Sequence, residues 1–202
     1  MKNEIPKYND DTEYFIANLT KSDSKKILPL IKKYIENKEV ADIGCGTGFA
    51  SRFMAEWYGT KIIMLDVEDN RCPSNKNFPY LNSTETTLPL ADNSIDVSYI
   101  QYVLHHLNVN PVTLLKEAYR ISKLNLILIE ECDAKSKEIN KFIEKDIEMN
   151  KILHPKSSYP IMKFFNEETL DSFIKDSKWI IDKKFILSND NYLQVNIYIL
   201  KK

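Results

Sequence analysis

The chain has 202 residues, 43% of them hydrophobic, with 28 basic and 29 acidic side chains and a formal charge of −1. That length and apolar content can bury one sizeable core, so a single domain over 1–202 is expected. The balanced charge, with Arg52, Arg71 and Arg120 as the arginines, tells against a surface built to track phosphates, and no nucleic-acid partner is expected, local basic patches aside.

Residues 1–21 are polar with interspersed Tyr8, Tyr14, Phe15 and Ile16, which predicts a loosely held N-terminal arm or short helix. Ser22 or Ser24 is placed to cap a helix carrying Ile27, Leu28, Ile31, Tyr34 and Ile35, with Pro29 in its first turn or kinking it. The first strand is Glu39 to Ile43. After it, Phe49, Phe53, Met54 and Trp57 mark one face of a helix that Gly59 ends. Lys61 to Leu65 is an apolar run stopped by Asp66, the mark of a strand buried on both faces. Phe78 to Leu81 and Ile95 to Ile100 read as strands three and four. Asn110 and Pro111 open a helix bearing Leu114, Leu115, Ala118 and Tyr119, and Leu124 to Ile129 is strand five.

From Ala134 to Phe165 the alternation of strand and helix breaks, and this segment reads as an insertion or lid. Asn166 then caps a last helix through Leu170, Phe173 and Ile174. Strands at Ile180 to Leu187 and Leu193 to Leu200 flank turn residues and form a hairpin.

Cys45, Cys72 and Cys132 make no C-x-x-C pair and read as free thiols of a reducing compartment. The start Met1 to Pro6 has no apolar leader, and no stretch approaches the roughly 20 apolar residues that span a bilayer. A soluble cytoplasmic protein without a membrane partner is expected, as monomer or homodimer.

Three of the four glycines, Gly44, Gly46 and Gly48, fall within five residues directly after the first strand. Glycine permits positive φ and close approach of backbone to a ligand, so three alternating glycines between strand and helix indicate a bound cofactor more than a simple turn. Asp66, ending the second strand, is where a carboxylate accepts hydrogen bonds from ribose hydroxyls in adenosine-binding sheets. A dinucleotide site wants G-x-G-x-x-G, but here Phe49 occupies the third glycine's place.

The stretch VADIGCGTG, the IIMLD after it, LPLADNSIDVSYIQYVLHHL at 88–107 and the terminal hairpin resemble a class I methyltransferase of the type-11 group, using S-adenosylmethionine. The resemblance implies a Rossmann-like, doubly wound, mostly parallel seven-stranded sheet ending in an antiparallel hairpin. It implies that Gly44, Cys45, Gly46 and Gly48 wrap the methionine part of the cofactor, with Asp42 holding its amino group. Asp66 would grip the ribose and Val67 lie against the adenine. Thr84 and Glu85 stand where relatives often carry an acid and a small residue at the adenine edge, and Gln101 would face the cofactor with its backbone. Where relatives often have K-P-G-G, this chain has Lys123-Leu124-Asn125. The implied product is S-adenosylhomocysteine.

A sulfonium methyl is already electrophilic, so the protein must chiefly align it with the acceptor and exclude water. His105 and His106 are the candidates for a base, against the alternative that they cap or pack the turn. Glu130, Glu131 and Asp133 either orient a cationic or amine acceptor or form a solvated strand end. His154 reads as a loop residue, and Tyr8, Tyr14, Phe15, Tyr159 and Phe164 either close over the acceptor or pack. No metal is expected, because adjacent histidines on a regular helix or strand cannot both turn to one ion. The absence of an N-P-P-Y-like motif after strand four points to a small-molecule acceptor, with transfer to O, N or C. The alternatives are a nicotinamide-dependent oxidoreductase and a non-catalytic S-adenosylmethionine-binding module.

Overall fold

A computed structural model of the chain describes residues 11–133, 139–153, 163–188 and 193–202. One seven-stranded sheet runs β3-β2-β1-β4-β5-β7-β6, with β1 at Glu39–Ile43, β2 at Lys61–Asp66, β3 at Tyr80–Asn82, β4 at Ile95–Gln101, β5 at Ser122–Asp133, β6 at Ile180–Ser188 and β7 at Leu193–Lys201. The first five strands pair in parallel, and β7 inserts antiparallel between β5 and β6. The expected doubly wound sheet with a terminal hairpin is present. The turn expected at 189–191 lies outside the described residues, as do Tyr8, His154 and Tyr159.

Alternation along the buried strands sorts side chains to two cores, as a period of two requires. On one face, Val40, Met64, Val97 and Ile127 meet α1 (Asp11–Ile35) and α2 (Phe49–Tyr58) through Ile27, Leu28, Ile31, Phe49 and Phe53. On the other, Ala41, Ile43, Leu65, Ile100, Leu126 and Leu128 meet α3 (Pro111–Ile121) and α5 (Glu167–Asp176) through Leu114, Leu115, Leu170 and Ile174. The caps follow the sequence: Asn110 accepts from Val112 N–H and Asn166 from Thr169 N–H, each relieving an orphan donor of a helix start. Among the described residues no helix is long and apolar enough to cross a membrane.

Three elements depart from expectation. The first helix begins at Asp11 rather than near Ser22, and Pro29 lies inside it. Its N-terminal turns are held from outside, since Ile16 and Ala17 are buried in the core and Glu13 accepts from Ser74 N–H at 3.1 Å. The third strand is Tyr80–Asn82 rather than 78–81, and the Phe78 carbonyl accepts from Arg71 at 2.8 Å instead of joining the ladder. The fifth strand does not stop at Ile129: β7 pairs with it as far as Asp133↔Leu193, carrying Glu130 and Glu131 inside the sheet. Within the expected insertion, α4 occupies Ile139–Leu153.

Trp179, 3% exposed, donates its indole N–H to the Leu115 carbonyl at 3.0 Å and meets the Tyr119 ring edge-on, tying α3 to the C-terminal strands. Trp179→Phe removes the indole donor from that carbonyl, a loss of about 1 kcal/mol. In a domain of this size the melting temperature should fall by roughly 2–4 °C for each kcal/mol lost. Thermal unfolding followed by circular dichroism checks this, and an unchanged midpoint would show that the bond contributes nothing.

Candidate active site

The loop between β1 and α2 is rigid before any ligand arrives. Gly44, Gly46 and Gly48 all have positive φ, at 76°, 50° and 83°, a region that costs a residue with a Cβ about 1–2 kcal/mol. Gly44 and Cys45 donate to the Leu65 carbonyl at 2.8 and 3.0 Å, and the Thr47 carbonyl accepts from Cys72 N–H and from the Asn75 side chain. At Gly44 space is also decisive, because a Cβ there would lie 2.5 Å from a Val103 methyl. At Gly48 it would meet Asn75 and Met64 at 3.2–3.3 Å.

A cavity of about 390 Å³ opens over the carboxyl ends of β1, β2 and β4. Asp42, Gly44, Cys45, Gly46, Asp66, Val67, Thr84, Glu85, Gln101, His105 and His106 all line it. Gly48 does not: it starts α2 and packs toward Met64, behind the wall rather than in it. Cys45 is a buried thiol whose proton burial holds firmly, with the charges of Asp42 and Asp66 adding to the effect.

Asp66 braces the loop it faces. Its two carboxylate oxygens accept from Gly46 N–H at 2.8 Å and from Val67 N–H at 2.7 Å, while Val67 itself is 54% exposed at the cavity's rim. Asp42 is 3% exposed and accepts from the Ser51 hydroxyl at 2.5 Å. Burial pushes its carboxyl up to about 7; the Ser51 bond opposes that and the charge of Asp66 adds to it. Glu85 accepts from both the backbone and the side-chain amide of Asn108, so it holds the turn after β4 as well as lining the cavity. The Gln101 side-chain oxygen is taken by the Tyr99 hydroxyl at 2.6 Å.

Past β4 the chain turns sharply, with Tyr102 at φ 57°, into a 3₁₀ turn at Leu104–His106. His105 is 1% exposed, and its Nδ1 pairs with Glu130, itself 0% exposed. The other Glu130 oxygen accepts from Leu104 N–H at 2.9 Å. The solvated reading of the strand end therefore fails at Glu130, which is fully buried against the turn after β4. His105 Nε2 is buried without a hydrogen-bond partner. Burial lowers the affinity of His105 for a proton, but the charge and hydrogen bond of Glu130 outweigh it, and the net shift is upward.

Residues that sequence reasoning did not place complete this end: Asp23 and Thr20 of α1, Tyr102, and Asp146 and Asn150 of α4. Those of α1 and α4 leave no signal in the sequence because helices distant along the chain bring them there. Phe164 packs beside the His105 ring. The two histidine rings lie 4.1 Å apart, and potential donor atoms of His105, His106 and Asp146 fall within 4.8 Å of one another. The objection to convergent adjacent histidines assumed a regular element, and an irregular turn removes it.

Asp42 carries a pH dependence with a definite sign. Its folded value, about 7, lies above the ordinary aspartate value of 3.8, so the native state holds this proton more tightly than the unfolded chain. The stability this group supplies is complete below about pH 4 and is lost as pH rises through about 7. Asp42→Asn should therefore lose less stability than the parent between pH 5 and pH 8 in urea unfolding. Parallel losses would place the titration elsewhere.

Comparisons with known proteins agree with this geometry. The family model described as a methyltransferase domain matches residues 41–129. No curated protein matches the chain in sequence. Among solved structures, a SAM-dependent methyltransferase from Aquifex aeolicus superimposes with a TM-score of 0.63 at 19% identity, over 91% of this chain and 98% of that one. One from Methanosarcina mazei gives 0.67 at 20%, over 86% and 97%. Geranyl diphosphate C-methyltransferase from Streptomyces coelicolor A3(2), in complex with Mg2+, geranyl diphosphate and S-adenosyl-L-homocysteine, gives 0.68 at 11%, over 98% and 86%. The methyltransferase-domain model thus spans β1 to β5, and the complete strand order built around it is the fold that these solved methyltransferases share.

Proposed function

We propose that the chain is a class I S-adenosylmethionine-dependent methyltransferase that acts on a small-molecule acceptor, transferring the methyl group to an O, N or C nucleophile whose proton His105 removes. The observation that carries this reading is the buried His105–Glu130 pair, whose one unpartnered nitrogen belongs to a residue of the cavity wall. Glu130 fixes the ring through Nδ1 and stabilises the imidazolium that proton uptake creates, which leaves Nε2 as the basic atom. The positive-φ glycines and Asp66 form the cradle for the cofactor, which supplies an electrophilic methyl on sulfur. The cradle fits a nucleoside because Gly44 brings bare backbone to the cavity wall and Asp66 lies beside it. Asp42, Cys45 and Gly46 would meet its methionine part, and Val67, Thr84 and Glu85 its adenine. A catalytic reading is favoured over a binding module because the cavity that would take the cofactor also has His105 and His106 in its wall.

Water exclusion falls to α1 and α4, which bring Leu19 and Leu153 to the cavity wall. A low-dielectric wall strengthens the Glu130–imidazolium attraction at the moment it is needed.

His105→Ala should lower turnover by about 10²-fold or more while leaving cofactor affinity largely intact by calorimetry. Full activity would return His105 to a packing role. Asp66→Ala should weaken cofactor binding by about 1–3 kcal/mol through lost charge-assisted hydrogen bonds, and unchanged affinity would remove it from the site. The rate should rise with pH as His105 loses its proton. Glu130→Gln should move that rise to lower pH, since it removes the charge that holds the proton.

A further inference from the structure

Apart from its histidines, the cavity wall carries acidic side chains and no basic ones among the described residues. Among the described residues that line it, no lysine or arginine appears, whereas Asp23, Glu131 and Asp146 gather at the end where His105 stands. They come from three separate elements, α1, β5 and α4, so the cluster is a product of the tertiary fold. Asp146 accepts from Asn150, and no positively charged side chain meets any of the three within the cavity wall. Each carboxyl is held above its ordinary range by burial first; the imidazolium charge of His105 opposes this at Glu131 and Asp146 and Lys26 opposes it at Asp23, while at Glu131, which is pushed up to about 7, the charges of Glu130, Asp146 and Asp23 add to the effect of burial. Beside them His105 Nε2 is enclosed and without a partner. Buried carboxyls of this kind either hold a proton or pair with a cation, and an ammonium ion would supply both a charge for them and an N–H for the unpartnered nitrogen.

We infer that the acceptor is an amine, bound as its ammonium form by Asp23, Glu131 and Asp146 and methylated on nitrogen. This narrows the function proposed above and rests on it. The ammonium gives one proton to His105 Nε2, and Glu130 holds the imidazolium through Nδ1. The amine lone pair then forms the new N–C bond as the S–C bond breaks, and that electron pair stays on sulfur. The positive charge the sulfonium brought thus ends on nitrogen, while sulfur becomes a neutral thioether.

Charge therefore moves toward the carboxylates as the reaction proceeds, and fixed negative groups that meet developing positive charge stabilise the transition state more than the ground state. The same carboxylates disfavour an anionic acceptor twice over. They repel a carboxylate or phosphate on entry, and they raise the energy of any alkoxide or phenolate nucleophile.

The test uses the full chain saturated with S-adenosylhomocysteine, with binding measured by calorimetry and thermal shift against matched pairs, phenethylamine with 3-phenylpropionate and hexylamine with hexanoate. Methyl-labelled S-adenosylmethionine then reports transfer to the same compounds. Amines should bind at least tenfold more tightly than their carboxylate partners. Glu131→Gln should weaken amine binding by tenfold or more while the affinity for S-adenosylhomocysteine stays unchanged. Should Glu131→Gln fail to fold, Asp23→Asn on α1 carries the same comparison. Equal or tighter carboxylate binding, or amine binding that both variants leave untouched, would overturn the inference. So would stoichiometric Zn2+ uptake that is lost in His106→Ala but kept in Asp23→Asn, because the cluster would then be a metal site. Failure to bind S-adenosylhomocysteine at all is a separate result, and it would strike the proposed methyl transfer rather than the acceptor class.

Discussion

The structure turns on one close approach, between Gly44 at the end of β1 and Val103 after β4, where no Cβ can be accommodated. The strand order runs outward from this point in both directions, β1-β2-β3 to one side and β4-β5 to the other. In an open parallel sheet such a reversal leaves a crevice at the carboxyl ends of the two central strands, because their crossover connections leave to opposite faces. The bare backbone of Gly44 lets the turn after β4 settle directly against the glycine loop. That contact sets the loop, where a cofactor would lie, beside His105, where an acceptor would lie.

Around this contact the protein has arranged its electrostatics with unusual one-sidedness. Asp42 and Asp66 stand at one end of the cavity and Asp23, Glu131 and Asp146 at the other, in a chain whose overall charge is close to neutral. Local sign here owes nothing to composition. At the first end the carboxylates are tied down: Asp66 by two backbone N–H groups and Asp42 by Ser51, which makes them parts of the scaffold. At the second end only Glu130 is fully committed, to His105 and the Leu104 amide. The rest face the cavity, where their mutual repulsion favours occupants that carry positive charge.

A large share of the architecture was legible in the chain. Glycine at 44, 46 and 48 announced positive φ, the apolar run stopped by Asp66 announced a doubly buried strand, and Asn110-Pro111 and Asn166 announced helix starts, because each of these signals acts over a few residues. The errors have one common origin. The helix start at Asp11 was hidden because the polar stretch between Ala17 and Ile27 breaks the apolar periodicity, and only packing of Ile16 and Ala17 against the core reveals it. The end of β5 was set too early because charge at Glu130 and Glu131 reads as a strand terminus, whereas pairing with β7 carries the strand on to Asp133.

Local backbone chemistry, then, was written in the order of the residues: the glycine bend, the acid closing β2, the caps and the terminal hairpin follow from interactions within a short span. What the residue order could not state is which distant groups meet. That Glu130 stands behind His105, that α1 and α4 bring Asp23 and Asp146 to one cavity, and that adjacent histidines converge on an irregular turn are decided by β7 inserting beside β5 and by helices folding over the sheet. These contacts join residues tens of positions apart, and their energies exist only once the whole sheet has closed around its two cores.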